Sequence, residues 1–185
     1  MKKILAFIFV SILLSSSLFS QERMSFKGVS LNNSVEDFVE KLEEKGFKEI
    51  GREDGAVMLQ GKFLNQNCYV GVIGVANSNT VWRVAAVLPE NETWASLRDE
   101  YFAVKELYQN KYGKGKSNES FEGYSGNEMI ALYEDRCNYH TAFTTKEGVI
   151  IIEIEKSNYM RGVVSIIYED KVNSELNNAE KLDDI

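Results

Sequence analysis

Three features of the sequence predict an α+β fold built as a tandem repeat, in which a helix is followed by an antiparallel β-meander and the helices lie on one face of the sheet. Residues 68–89 hold two β-branched runs around Asn77, Ser78 and Asn79, and asparagine tolerates the left-handed backbone of a tight hairpin turn. Residues 137–155 repeat this outline, because they also start at a cysteine and cross a polar turn into a β-branched run. A helical pattern precedes each set of strands, and runs of adjacent strands favour antiparallel pairing.

The first helix is predicted at residues 35–45. Ser34 is a suitable N-cap and Asp37 follows three positions later, as in a capping box. Gly46 can take the left-handed position after the last turn. The apolar residues fall on one helical face: Val35, Phe38, Val39 and Leu42.

The second helix is predicted from Trp94 to Tyr112, with Thr93 as its N-cap and Gly113 at its end. A stripe of large apolar residues repeats at helical spacing: Trp94, Leu97, Tyr101, Val104, Leu107 and Tyr108. Such a stripe can line a ligand groove, but this spacing favours a place in the core.

The remaining segments predict strands and loops. Besides the strands of the hairpin at 68–89, strands are expected at residues 48–52, 56–63, 128–135, 137–144, 149–156 and 163–169. Residues 24–31 are expected to be a short strand or an extended lead-in, residues 114–120 a polar loop, and residues 173–182 a short helix. In the second strand of the first hairpin one face is expected to carry Trp82, Val84, Ala86 and Leu88, and the other Val81, Arg83, Ala85 and Val87. Both faces are largely apolar, so this strand is expected to be central and covered by a helix on one side.

Residues 1–20 have the layout of a secretory signal peptide. A basic start with Lys2 and Lys3 precedes an apolar run at residues 4–14, and small residues lead up to Ser20. The apolar run is too short to span a bilayer, so cleavage after Ser20 and export to the periplasm or the cell exterior are expected. The alternative is an uncleaved membrane anchor.

The mature chain, residues 21–185, is predicted to be one α+β domain of two half-repeats, about 21–90 and 91–185, with no stable membrane span. Cleavage removes two lysines and takes the formal net charge from −7 to −9. An acidic protein repels phosphate backbones, so nucleic acid is not expected as a partner. A basic protein, a cation or a small molecule stays open as a partner, as does a charge that only keeps the protein soluble.

Residues 26–31 (FKGVSL) and 37–47 (DFVEKLEEKGF) resemble the start of small secreted proteins of unknown function from Bacteroidetes-type bacteria, as do residues 94–97 (WASL) and 111–114 (KYGK). The resemblance covers the whole mature chain and implies no catalytic residues. The element order is also similar to the β-lactamase-inhibitor-protein fold and to its relative, the small outer-membrane assembly lipoprotein. That relative carries a lipidated cysteine, whereas no cysteine lies near the expected cleavage point, and a likeness of fold implies little about function.

Cys68 and Cys137 are predicted to form one disulfide. Both begin hairpin strands in corresponding parts of the two half-repeats, and export leads to an oxidising compartment. The alternative is two buried thiols that act as small apolar residues. The spacing of the cysteines does not resemble a metal site, and no metal or cofactor is expected.

Arg83, His140 and Glu153 are the candidate binding residues, because strand alternation is expected to place them on sheet faces away from the helices. His140, the one histidine, can form an acid–base pair with Glu153 or Asp135, although a strand histidine is usually a surface or hydrogen-bonded residue. Arg83 can anchor an acidic partner or simply extend from an apolar surface to water.

The sequence leaves three functional hypotheses. The favoured one is a secreted or periplasmic non-catalytic binding module that uses an open sheet face for a protein or small ligand. The second is a structural accessory protein of the cell envelope. The third is an enzyme of unrecognised type, and no nucleophile motif in the sequence supports it.

Overall fold

The computed structural model describes residues 23–53, 55–123 and 126–183, and residue 183 by its backbone alone. The predicted signal peptide at residues 1–20 and its cleavage point lie outside the described residues. The described chain is a mixed α and β structure with four helices, an eight-stranded antiparallel sheet and a separate two-stranded hairpin.

The described residues form ten strands and four helices. The strands are β1 (Ser25–Phe26), β2 (Val29–Ser30), β3 (Lys48–Glu53), β4 (Ala56–Phe63), β5 (Gln66–Gly74), β6 (Val81–Val87), β7 (Lys116–Phe121), β8 (Cys137–Thr144), β9 (Gly148–Lys156) and β10 (Gly162–Asp170). The helices are α1 (Val35–Glu43), α2 (Trp94–Tyr112), α3 (Glu128–Tyr133) and α4 (Lys171–Asp183).

The large sheet has the strand order β3-β4-β5-β6-β10-β9-β8-β7, and every neighbouring pair is antiparallel. The hairpins predicted at residues 68–89 and 137–155 are confirmed as the pairs β5–β6 and β8–β9. The strand β6 is central, as predicted, because β5 and β10 flank it. The strands β3 and β7 form the two edges.

The helices α1, α2 and α3 cover one side of this sheet, which we call the helix face. A transverse row of paired, fully buried residues crosses it from β4 to β8: Leu59, Val70, Ala86, Ile166, Ile152 and Thr141. Burial of each large aliphatic side chain in such a row is worth about 1.5–3 kcal/mol. The core therefore lies between the helix face, these helices and the β1–β2 hairpin.

The predicted helix starts are confirmed by their caps. The Ser34 hydroxyl accepts from the Asp37 amide at 3.2 Å, and the Thr93 hydroxyl accepts from the Ser96 amide at 3.2 Å. The helix α1 ends at Glu43, two residues before its predicted end. Gly46, with φ 88°, takes the left-handed backbone expected after it.

The stripe on α2 is core for four of its six residues. Leu97, Tyr101, Val104 and Tyr108 are buried. Trp94 is only partly buried, and its ring packs edge-on against Phe121 and Tyr139 with centroids 4.8 Å apart in both cases. Leu107 departs from the prediction, since 54% of its surface is exposed.

Two segments differ from the prediction in type. Residues 128–135, expected to be a strand, contain α3, because the Asn127 side chain caps the amides of Met129 and Ile130. Residues 114–120, expected to be a loop, contribute most of edge strand β7, which pairs with β8 along its whole length. The sequence KSNESF of β7 has almost no apolar residues, so pairing with β8 rather than hydrophobic alternation creates this strand.

The alternation predicted for β6 fails at its first residues. A register shift between Ile73 and Gly74 leaves Trp82 without a direct partner on β5. Because one residue is inserted, Val81 turns to the helix face, where it is fully buried in the core. From Arg83 onward the predicted alternation holds.

The helix α4 departs from the prediction that all helices lie on one face. It follows β10 directly, begins two residues before the predicted start, and contacts β6, β9 and β10. The Lys181 ammonium lies 5.9 Å from the Trp82 ring, and Glu180 accepts from the Asn77 amide at 3.1 Å. The helix α4 therefore closes the end of the sheet at which β10 ends.

Candidate binding site on the open face of the sheet

The open face of the sheet is the side that points away from α1, α2 and α3, and its residues alternate along each strand with those of the helix face. Two transverse rows of paired residues cross its centre. The apolar row consists of Met58, Gly71, Ala85, Ile167, Ile151 and Ala142. The mixed row consists of Gln60, Tyr69, Val87, Ser165, Glu153 and His140.

The structure brings two of the sequence-predicted residues together. His140 on β8 and Glu153 on β9 are direct register partners, and such residues have Cβ atoms about 4.5–5.5 Å apart. Both are half-buried, and no described hydrogen bond joins their side chains. Asp135, the other predicted partner of His140, instead accepts a hydrogen bond from the Lys156 ammonium at 2.5 Å.

Glu153 is held in an environment that opposes its charge. Burial raises the pKa of its carboxyl, the negative charges of Glu155 and Glu169 raise it further, and the positive charge of Arg83 acts in the opposite direction. Both burial and like charges disfavour an ionised carboxyl. A positively charged group that approached Glu153 would relieve this repulsion.

Ser165 and Glu155 belong to the same surface. The Ser165 hydroxyl, which is buried, donates to the carboxylate of Glu155. Ser165 lies directly opposite both Glu153 and Val87. Sequence reasoning missed Ser165, because its neighbours are known only once β10 is placed between β6 and β9.

Arg83 lies on the open face, as predicted, but apart from the His140–Glu153 pair. It is paired with Glu169, and its Nε lies 3.7 Å from the Glu169 carboxylate, with 34% and 27% of the two side chains exposed. Its guanidinium lies 5.9 Å from the Trp82 ring. Val87 in the mixed row lies four positions further along β6, which is about 13 Å along the strand. Arg83 therefore influences Glu153 through its charge and not through a described contact.

A depression of about 760 Å³ opens at one end of the mixed row. Gln60, Tyr69 and Val87 belong to both, and Pro89 and Lys156 also line the depression. Half of the Tyr69 surface is exposed, so its ring is available to a ligand. The volume falls in the range of small-molecule sites. His140 is not among the lining residues, so this depression is not a pocket centred on the histidine.

The predicted Cys68–Cys137 disulfide is absent from the structure, in which both cysteines are free thiols. Cys68 lies on β5 and Cys137 on β8, and three strands separate them. Four strand spacings amount to about 19 Å, far beyond the roughly 7 Å of Cα separation that a disulfide bridges. The sequence prediction is corrected here, because it treated these two strands as neighbours across a shared core.

The described residues give little sign of other kinds of site. No three His, Cys, Asp or Glu side chains among them are grouped as metal ligands. None of the helices in the described part of the chain is long and apolar enough to cross a membrane.

The comparisons with known proteins yield neither a family nor a known fold. No family model and no solved structure matches the chain. The chain is similar to DNA-directed RNA polymerase subunit beta of Drimys granadensis, with 31% identity over 97 residues, and of Aethionema cordifolium and Aethionema grandiflorum, with 33% identity over 86 residues each. These stretches cover 52% and 46% of this chain but only 9% and 8% of the polymerase subunits. A likeness to so small a part of a larger protein does not place the chain in that family.

Proposed function

We propose that this chain is an exported, non-catalytic binding module. Its open sheet face takes a protein segment or a small molecule that carries a positive charge next to an apolar body. One observation carries this proposal: the half-buried carboxyl of Glu153, with a raised pKa, lies on β9 between Ile151 of the apolar row and Lys156, which lines the depression.

The charge pattern supports a cationic ligand. The carboxylates of Glu155 and Glu169 both act on Glu153, and among the described groups that act on it Arg83 is the positive one. A desolvated cation between carboxylates gains more than one in water, because the local dielectric is lower. The aliphatic residues of the apolar row and the Tyr69 ring provide the contact for the rest of the ligand.

We keep nucleic acid outside the proposal. The partial likeness to polymerase subunits covers under a tenth of those proteins, and a net charge of −7 repels phosphates.

Export is also part of the proposal. The intact mass of an exported protein is expected to correspond to a chain that begins at Gln21. A mass that still includes residues 4–14 contradicts export with cleavage.

We further infer that the fold is a tandem repeat of a helix and a four-stranded meander. Support comes from the order of elements: α1 precedes β3 to β6, α2 precedes β7 to β10, and the last strand of each meander is the neighbour of the other. The helix α3 lies inside the second meander without a counterpart in the first.

The proposed site is tested with labelled peptides of equal apolar content that alternate valine or leucine with lysine, glutamine or glutamate. The lysine peptides are expected to bind most tightly by fluorescence polarisation at neutral pH. The double variant Glu153→Gln, Glu155→Gln is expected to lose about tenfold in affinity for them, because it removes two charge interactions, one at the half-buried Glu153 and one at the exposed Glu155, each worth up to about 1 kcal/mol.

The matched control is the double variant Glu43→Gln, Glu44→Gln, which removes two exposed carboxylates at the end of α1. It is expected to bind the lysine peptides as the unchanged protein does. Equal affinity for all three peptide classes would contradict the proposal. An equal loss of affinity for the lysine peptides in the two double variants would contradict it as well.

A further inference from the structure

A cavity of about 340 Å³ lies on the helix side of the sheet, beside α2, the β1–β2 hairpin and the β4–β5 turn. The buried aromatic rings of Phe63, Tyr108 and Tyr168 line it. At its rim stand Leu107 and Tyr112, with 54% and 36% of their surfaces exposed. The volume lies at the lower end of the range of small-molecule sites. While the cavity is empty, these two large side chains stay exposed to water, which is unfavourable for apolar surface.

The polar atoms among the buried rings are already satisfied. The hydroxyls of Tyr108 and Tyr168 are hydrogen-bonded to each other. Burial raises the pKa of Tyr108 to about 12 and also raises that of Tyr168, so both hydroxyls stay neutral at neutral pH. This part of the cavity is therefore suited to an apolar group.

The charge at the cavity has one sign. Lys27 and Lys111 line it, and no carboxylate is among the described lining residues. Neither lysine forms an ion pair within the described part of the chain, and their ammonium groups lie 6.0 Å from the Phe47 ring and 4.9 Å from the Tyr112 ring. In a chain with net charge −7, a cavity with two unpaired cations favours an anion.

The backbone that carries Lys27 is fixed. Lys27 and Gly28, with φ 52° and 75°, form the two-residue turn between β1 and β2, which is the conformation of a type I′ hairpin turn. Phe26, just before the turn, is fully buried and its ring contacts Phe47, Phe63 and Tyr168. The turn therefore holds Lys27 at the rim of the cavity, so a ligand can meet this lysine without first ordering a flexible loop.

We propose that this cavity is a second binding site, separate from the open face, for a small organic anion with one carboxylate at the end of an apolar body. The apolar body enters among Phe63, Tyr108 and Tyr168, and the carboxylate meets Lys27 and Lys111. The carbonyl end of α2 at Tyr112 opposes this, because a helix C-terminus carries roughly half a negative charge. The two full positive charges of Lys27 and Lys111 outweigh this partial negative charge.

The test uses three probes with the same eight-carbon chain: octanoate, the neutral octanamide and the cationic octylamine. With methyl-labelled leucine, NMR titration reports binding at Leu64 and Leu107, which line the cavity, and Leu176 and Leu182 on α4 serve as internal references. Octanoate is expected to shift the first pair of signals and to bind at least about tenfold more tightly than octanamide, the effect of one charge-assisted hydrogen bond. Octylamine is expected to bind most weakly.

The double variant Lys27→Gln, Lys111→Gln is expected to lose this preference for octanoate while it binds octanamide unchanged. The matched control is Lys45→Gln, Lys48→Gln, which removes two exposed lysines that do not line the cavity and is expected to behave like the unchanged protein. Equal affinity for octanoate and octanamide, tighter binding of octylamine, or unmoved Leu64 and Leu107 signals would each overturn the proposal. Equal losses in the two double variants would overturn it as well.

Discussion

Glu153 shows how the fold of this protein sets the chemistry of a single residue. Its register partners are His140 and Ser165, and Glu155 lies two residues along the same strand. Burial is the largest cause of its raised pKa. The folded chain therefore binds a proton more tightly at Glu153 than the unfolded chain does. The contribution of Glu153 to stability is present below the ordinary glutamate pKa of 4.5 and is lost as the pH rises through the raised pKa of the folded state.

The first prediction is that Glu153→Gln stabilises the protein at neutral pH. The glutamine keeps the size of the side chain and removes a charge that burial, Glu155 and Glu169 disfavour, so the free energy of unfolding is expected to rise by less than about 1 kcal/mol. The gain is expected to vanish below the ordinary glutamate pKa, where both states are protonated. Urea unfolding at several pH values measures this, with Glu44→Gln as the exposed control. A loss of stability at neutral pH would instead show that the charged Glu153 has a stabilising partner, such as His140.

For single residues, the sequence predicted which face of the sheet a side chain lies on better than it predicted which side chains lie beside it on adjacent strands. Alternation within each strand placed Arg83, His140 and Glu153 on the open face, because the side-chain period of a strand is fixed at two. Ser165 and Tyr69 were missed as members of the mixed row, since pairing across strands depends on strand order. Val81 was assigned to the wrong face, because an inserted residue in the β6 pairing leaves no signal in the sequence composition.

The secondary-structure elements differ in how far local sequence determines them. Both α1 and α2 have a hydroxyl N-cap and a glycine after the last turn, and both were predicted. The helix α3 was predicted as a strand, although Asn127 and the spacing of Met129 and Leu132 are helical signals. The edge strand β7 forms because its backbone groups pair with those of β8. The residue pattern of 114–120 gives no sign of this pairing.

Asp170 fixes the junction between β10, α4 and the start of the described chain. Its carboxylate accepts from the Arg23 guanidinium at 2.8 and 3.0 Å, from the Met24 amide at 3.1 Å and from the Asn173 amide at 3.0 Å. It is fully buried. The Asn173 bond also makes Asp170 the N-cap of α4, which explains why this helix begins before the predicted residue 173.

The second prediction is that Asp170→Ala costs about 3–5 kcal/mol of unfolding free energy, because it leaves the partly buried Arg23 charge without its partner. Asp170→Asn, which keeps some acceptor capacity, is expected to cost less. The control is Asp99→Ala, which breaks the exposed pair with Arg98 and is expected to cost under about 1 kcal/mol. Chemical denaturation measures all three, and a cost at Asp170 no larger than at Asp99 would contradict the anchoring role.

At the scale of the whole molecule, the central pair β6–β10 decides which residues meet. Local patterns give the hairpins but not the order in which two sets of strands join, because many orders satisfy the same hydrophobic alternation. The sequence therefore predicted an antiparallel sheet with helices on it and could not place β5 relative to β8. The expected disulfide failed for that reason, since β6, β10 and β9 all lie between the two cysteines.

The last prediction concerns these two thiols in the whole chain. Burial raises the pKa of both Cys68 and Cys137 to about 11, and only the thiolate reacts readily. The native protein is therefore expected to react slowly with iodoacetamide at neutral pH and faster as the pH approaches that value, with the half-buried Cys137 ahead of the buried Cys68. After denaturation without reductant, both thiols are expected to be alkylated, as mass spectrometry of the intact chain would show. The single variants Cys68→Ser and Cys137→Ser identify which thiol reacts first. A monomer in which neither thiol reacts until reductant is added would contain the Cys68–Cys137 disulfide, and the strand order β5-β6-β10-β9-β8 would then be wrong.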